Sequence, residues 1–198
     1  NHNSHQHEWF LQFKEARMNG DTENPYYDYY ACATTAEKLN GVTYQKIAGV
    51  DCWYECNFSG DMPELNYDNT EVRQEMLKVA QYYMELGVDG FRFDAVKYIY
   101  FEEGPTKNVN FWNWYMGELR KEYPDIFAVG ECWSGDTEVL KYYTAFNCFN
   151  FTAAQAGGKI ATAAKGNSIS SYLNYVESCQ DSVQAVSSDR MPMFFLSN

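Results

Sequence analysis

An α/β fold built on a parallel sheet is predicted from three features of the chain. Strand-like runs alternate with helix-like runs of 10 to 15 residues, two successive strands end in an acidic residue, and one irregular stretch interrupts the alternation. Alternation of this kind implies right-handed crossovers between parallel strands, which both a doubly wound sheet and a (β/α) barrel satisfy. Acidic side chains at the C-terminal ends of successive strands, with an irregular insertion on the same side, favour the barrel.

In order, residues 8–17 carry Trp9, Phe10, Phe13 and Ala16 at helical spacing and stop at Asn19-Gly20. Residues 21–66 are rich in tyrosine, glycine, proline and short polar clusters, with strand-like runs at 41–44 and 47–54; they read as an irregular, β-leaning lobe ending in MPELN. A helix is predicted from Asn69 or Thr70, with Val72, Met76, Val79, Tyr83 and Leu86 as one core-facing stripe and Gly87 as its stop.

The segment 87–97, GVDGFRFDAVK, follows at once, and its period-two alternation puts Phe91 and Phe93 on one face and Arg92 and Asp94 on the other. A loop over 98–109 containing Gly104-Pro105 leads to a helix over about 111–123 that Pro124 ends. The next strand-like run, 126–133 (IFAVGECW), contains Glu131. A short helix over 136–143, an apolar stretch at 145–151, a break at Gly157-Gly158, a helical segment over 167–186 and a last buried strand over 191–196 complete the pattern.

Composition narrows the function. Hydrophobic residues at 45% and aromatics at 18%, with 17 Tyr, 13 Phe and 5 Trp, provide a core and leave rings of the kind that hold sugars or peptides. A net charge of -12 with no basic patch argues against nucleic acid or anionic lipid as partner. No apolar run is long enough to span a bilayer, and no leader is visible. Neither GxGxxG nor GxxxxGK occurs, so no nucleotide cofactor is expected.

The six cysteines lack CxxC spacing and are expected as free thiols, with Cys52 and Cys56 a pair that could meet. The three histidines His2, His5 and His7 match no standard zinc spacing. Two strands each ending in an acid indicate a two-carboxylate site, set against the plainer reading of Arg92 and Asp94 as a structural ion pair.

The stretches GFRFDAVKY and GECW, 37 residues apart from Asp94 to Glu131, resemble two ordered motifs of the α-amylase family of glycoside hydrolases. Asn1-His2 is similar to the end of the family's first motif, Phe195-Leu196-Ser197-Asn198 to the start of its last, and MPELN to a signature at the exit of its inserted domain B. The resemblance implies an internal fragment holding about strands 3 to 7 of a (β/α)8 TIM barrel: residues 1–20 in the barrel, 21–66 as domain B, 67–198 in the barrel again. The third catalytic acid would then lie two positions beyond Asn198, and the chain alone would be aggregation-prone and inactive.

By the same resemblance Asp94 is the nucleophile, Arg92 orients it, and Glu131 is the general acid/base of a retaining α-glucan hydrolase. His2, Lys97, Tyr98 and Trp133 are substrate contacts, and Asn1 corresponds to a calcium ligand; apart from the resemblance, the aromatic surplus predicts that some of Trp9, Tyr54, Tyr98 and Trp133 line the cleft as sugar platforms, the others being core. Lys97 fits α-1,4 specificity in starch or maltooligosaccharides, while Tyr98 stands where many relatives have histidine. A polymeric starch substrate would put the protein outside the cell or on its surface. The rival readings are a transglycosylase or α-1,6-acting relative with the same site, and a non-catalytic binding subunit. Arg92 two residues before Asp94 should favour its ionised form, and Glu131, with no cation beside it in sequence and Trp133 near, should suit the acid role.

Overall fold

A computed structural model describes residues 1–101 and 104–197. Its contacts divide the chain into two units: Asn1–Val79 with the described part of Ile99–Glu103, and Ala80–Tyr98 with the residues from Gly104 onward.

In the first unit, helix α1 (Glu8–Asn19) is opened by the His7 ring, which accepts the Trp9 N–H at 3.2 Å, and closed by Gly20 at φ 65. It buries Phe10, Phe13 and Ala16. Phe10 meets Tyr30 and Tyr54 edge-on, with ring centroids 5.0 and 4.9 Å apart, so tyrosines of the lobe form the other half of this core. The lobe itself is a three-stranded antiparallel sheet, β1 (Cys32–Ala33), β2 (Tyr44–Lys46) and β3 (Trp53–Glu55), in the order β1-β3-β2. Two of these strands fall at or just after the predicted runs; β1, only two residues long, has no sequence pattern to announce it.

The MPELN segment stitches the lobe together. The Glu64 N–H donates to the Glu55 carbonyl at 2.9 Å, its carbonyl accepts the Ala31 N–H at 3.0 Å, and the Leu65 N–H donates to the Asn1 carbonyl at 2.9 Å. All six cysteines are free thiols. Cys52 and Cys56 flank the extended strand β3, where four residues span about 13 Å, so this pair, left open by the sequence, does not meet and the expected free thiols stand.

Helix α2 (Thr70–Glu85) runs from the first unit into the second. Asn69 caps it, its side-chain oxygen accepting the Glu71 N–H at 2.8 Å. The expected stripe is only partly buried: Val72 is inaccessible, but Val79, Tyr83 and Leu86 are 45%, 47% and 64% exposed, and Leu77 and Ala80 go inside instead. Helical spacing dictates which side chains share a face and not what lies against it; among the described residues the outer part of that face has no cover.

The second unit is a four-stranded sheet, β4 (Gly90–Phe93), β5 (Phe127–Gly130), β6 (Asn147–Phe149) and β7 (Pro192–Met193). All neighbours are parallel, and the spatial order β4-β5-β6-β7 is the order in the chain. A doubly wound sheet reverses its strand order at a switch point; this sheet does not, which makes it an arc of a barrel. Helix α3 (Pro105–Glu122) packs on it through Trp112, Tyr115, Met116 and Leu119. The Phe93 ring lies 4.8 Å from Trp112 and 5.7 Å from Phe146, and the Trp112 indole donates to the Val96 carbonyl at 2.8 Å.

Three boundaries differ from the predicted ones. Helix α3 begins at Pro105 rather than near 111, because proline's fixed φ and missing N–H suit the first helical position and Gly104, at φ 80, supplies the entry turn. Gly158, read as part of a break, is the N-cap of a short helix α5 (Lys159–Ala164) ahead of α6 (Ile169–Val186). The last strand is Pro192–Met193 instead of six buried residues, since Met191 and Leu196 are 57% and 72% exposed. Asn198, the final residue of the family-like FLSN, lies outside the described residues. The short helix predicted over 136–143 is α4 (Asp136–Val139) followed by a 3-10 turn, Leu140–Thr144.

Gly130 ends β5 against the Phe146 ring: a Cβ there would sit 2.3 Å from a ring carbon, and Phe146 is fully buried among Phe93 and Trp112. The ring has nowhere to go, so Gly130→Ala is expected to cost about 1–3 kcal/mol, read as a lower urea midpoint at unchanged m-value.

Candidate active site

The site grows out of one register. Phe93 of β4 is paired with Gly130 of β5, so Asp94 and Glu131 are each the first residue past the C-terminal end of neighbouring parallel strands, at the same height. The ladder continues one step beyond them: the Glu131 N–H donates to the Phe93 carbonyl at 2.8 Å, and the Val96 N–H to the Glu131 carbonyl at 3.0 Å. Between them Ala95 takes a left-handed conformation, φ 46, rare for a residue with a Cβ. Its N–H donates to the Glu131 side-chain oxygen Oε2 at 3.4 Å.

Arg92 joins the two acids. One guanidinium nitrogen contacts Asp94 and the other lies 2.9 Å from Glu131 Oε1. Sequence adjacency therefore misleads about Glu131, which has a cation after all: Arg92 reaches it across the sheet. What separates the two carboxyl groups is exposure, 65% for the Asp94 side chain and 13% for Glu131. Burial works to raise the Asp94 pKa. Hydrogen bonds with Arg92 and Glu131, together with the Arg92 charge, outweigh it and hold Asp94 below the usual aspartate range.

Of the other expected site residues, three fall beside this pair. The Lys97 ammonium donates to the Trp133 carbonyl at 2.8 Å and to Ser134 Oγ at 3.1 Å, which ties the turn after β4 to the loop after β5. It also stands 5.0 Å from the Tyr98 ring centroid. Trp133 is 61% exposed and stacks on Phe151 at 5.0 Å, leaving an open aromatic surface on the loop after Glu131. Phe151 and Ala95 carry no sequence signal for these positions, since one lies beyond β6 and the other is an alanine in a conformation suited to glycine.

The remaining candidates lie in the first unit. His2 is paired as an isolated bridge with Glu64, its Nδ1 3.7 Å from Glu64 Oε2, and its ring is 5.0 Å from Phe58. Trp9 meets Tyr29 edge-on at 5.4 Å. Tyr54 is no sugar platform: it is 7% exposed in the α1 core, and its hydroxyl bonds to Gln45. The main-chain oxygen of Asn1 is taken by the Leu65 N–H. Among the described residues no three His, Cys, Asp or Glu side chains gather as a metal site. Calcium takes six to eight oxygens, main-chain carbonyls among them.

A parallel arc carrying two carboxyl groups and a shared arginine at its C-terminal edge defines a barrel glycosidase site. The chain belongs to the alpha-amylase family: the family described as alpha amylase, catalytic domain, matches residues 1–198. It is 37% identical over 153 residues to alpha-amylase 3 of Dictyoglomus thermophilum, an alignment covering 76% of this chain and 29% of that protein. It is 31% identical over 172 residues to the oligo-1,6-glucosidase of Bacillus cereus, covering 73% of this chain and 30% of that protein. The solved structure of Eubacterium rectale Amy13B superposes with a TM-score of 0.84 at 29% identity, over 96% of this chain and 38% of that one. The chain thus spans about three tenths of the length of these curated relatives. No helix among the described residues is long and apolar enough to cross a membrane.

Replacing Arg92 by leucine removes the groups that hold Asp94 ionised, so the Asp94 pKa should rise toward or past its ordinary value, followed by carboxyl carbon NMR across a pH titration. The sign for stability follows from linkage. A carboxylate whose pKa is lowered by folding contributes above its unfolded pKa of about 3.9 and loses that contribution as pH falls through the folded value. The wild type should therefore lose this increment on acidification, and Arg92→Leu should have less of it to lose.

Proposed function

We propose that this chain carries the retaining site of an enzyme that cleaves α-1,4-glucosidic bonds in starch-like glucans or maltooligosaccharides. The observation that carries the reading is the placement of Asp94 and Glu131 at the ends of adjacent parallel strands, with the Arg92 guanidinium on both. Retaining enzymes hold their two carboxyl groups about 5 to 5.5 Å apart, whereas inverting ones leave about 6.5 to 9.5 Å for a water between them. One guanidinium fork reaching both carboxyl groups favours the closer of these spacings.

Asp94, ionised and open to solvent, attacks the anomeric carbon. The glycosidic bond breaks as Glu131 gives its proton to the leaving oxygen, and a covalent glycosyl ester on Asp94 results. Glu131, now ionised, takes a proton from water as that water attacks the same carbon, and Asp94 is released. Arg92 fixes both carboxyl groups and offsets the negative charge they would share. Trp133 offers its exposed face to a sugar ring, Lys97 and Tyr98 border the same edge, and His2 is assigned a sugar contact on the strength of the family motif alone.

Lys97 supports the α-1,4 assignment through the resemblance of its motif. The match to an oligo-1,6-glucosidase supports a second reading, α-1,6 cleavage or transfer of the glycosyl group to a sugar hydroxyl by the same intermediate. In the enzyme containing this site, Glu131→Gln should lower kcat by about 10²–10⁴-fold or more while glucan binding persists, because the amide keeps the shape without the proton. A 2-fluoro glucosyl fluoride should label the protein at Asp94, located by peptide mass spectrometry. Chromatography of products from maltooligosaccharides and isomaltooligosaccharides separates the two readings: shorter α-1,4 chains support the first, while cleaved isomaltose units or lengthened chains support the second.

A further inference from the structure

The pair Cys32 and Cys52 belongs to the first unit and has no part in the carboxylate chemistry. Strands β1 and β3 are antiparallel with Cys32 opposite Tyr54. Residues opposite each other point to one face, and so do residues two apart on a strand, which brings Cys52 to the same face as Cys32. Cys32 and Cys52 are thus diagonal neighbours on that face, near enough for each to affect the other's titration. Cys52 is 6% exposed and Cys32 half-buried.

We propose that Cys32 and Cys52 form a thiol–disulfide exchange site that a small-molecule disulfide oxidises to one intramolecular disulfide. Diagonal neighbours on paired strands stand about 7–8 Å apart, so closing the bond needs a small approach of the two backbones. A disulfide needs a sulfur separation of about 2 Å and Cα atoms within about 7 Å. The β1–β3 ladder ends at Ala33 and Trp53, so no pairing with β1 holds Cys52, while its carbonyl accepts the Ile47 N–H at 2.9 Å. Arg17, held by Asp28 at 2.5 Å and by the Tyr27 carbonyl at 2.8 Å, places its positive charge near both sulfurs and favours a thiolate there; Asp28 and, at Cys52, Asp51 oppose it. The neighbouring Cys32 thiol, against the opposing effect of burial, lowers the Cys52 pKa.

In the reaction a thiolate of the pair attacks one sulfur of an external disulfide RSSR, forming a mixed disulfide and expelling RS⁻. The second thiol of the pair gives up its proton and attacks the mixed disulfide, expelling the other RS⁻. Two protein thiols and RSSR become one protein disulfide and two RSH, the external disulfide being reduced. The bond would join the entry strand of the lobe to its central strand and close a loop of about twenty residues, which restricts the unfolded chain.

The test uses the full chain, incubated in its folded state with oxidised glutathione, quenched in acid, denatured, alkylated and digested with trypsin. The expected result is two fewer alkylated thiols than the six of the reduced protein. A linked pair of peptides should also appear, with fragmentation between Cys52 and Cys56 assigning the link to Cys52. Dithiothreitol should restore all six. Cys56→Ser should keep the link, and Cys32→Ser should lose it and leave Cys52 alkylated or glutathionylated. Six alkylated thiols, glutathione on Cys32 and Cys52 without a link, or a link through Cys56 would each overturn the proposal. The wild-type peptide map decides the matter even if a variant fails to fold.

Discussion

The pairing of Phe93 with Gly130 is the constraint on which the carbohydrate site depends. Side chains in a strand alternate faces, so a slip of one residue would turn either Asp94 or Glu131 toward the aromatic core. The register is held from below by close packing where no side chain can intervene. Gly90 lies against the Phe127 carbonyl, where a Cβ would approach to 2.1 Å, and Gly130 lies against Phe146. Phe93, Trp112 and Phe146 fill the space behind, an arrangement of rings in mutual contact that leaves little freedom to relax. Chemistry at the strand ends is thus set by packing one layer down.

Above that layer, Arg92 makes two like-charged neighbours tolerable. Asp94 and Glu131 would repel if both were ionised and unaccompanied, and the guanidinium fork, with several donors in one plane, reaches both at once. The difference in role then comes from surroundings. Asp94 stands in solvent with its charge supported, while Glu131 is packed beneath the Ala95 N–H and close to the sheet. The link from Lys97 to the Trp133 carbonyl extends the same principle outward, tying the turn after one strand to the loop after the next.

Much of this was legible in the sequence because strands and sites obey short-range rules. Alternation in GFRF fixed which of Phe91, Arg92 and Phe93 face together, and the contact of Phe91 with Phe93 at 5.9 Å agrees. Helical spacing found Phe10, Phe13 and Ala16, all buried. What escaped was long-range or conformational. Nothing local says that Arg92 reaches a residue 39 positions on, that Val79, Tyr83 and Leu86 stand in solvent, or that Tyr54 belongs to a core built with α1. The nearness of Cys32 and Cys52 is of the same kind, since it depends on an antiparallel register across a two-residue strand that carries no periodicity to read.

Ala95 shows what the local conformation of a loop implies for variation. A left-handed residue with a Cβ carries a conformational cost that glycine would not. Glycine there would relieve the fold yet give the turn after Asp94 more states to visit, so protein stability and the fixed aim of the carboxylate make opposite demands on one small side chain. Asparagine tolerates the same backbone but would bring a polar group against the Glu131 oxygen that the Ala95 N–H now engages. Position 95 is therefore a narrow passage for sequence drift: the side chain lacks any chemical role, and few alternatives satisfy backbone and carboxylate together.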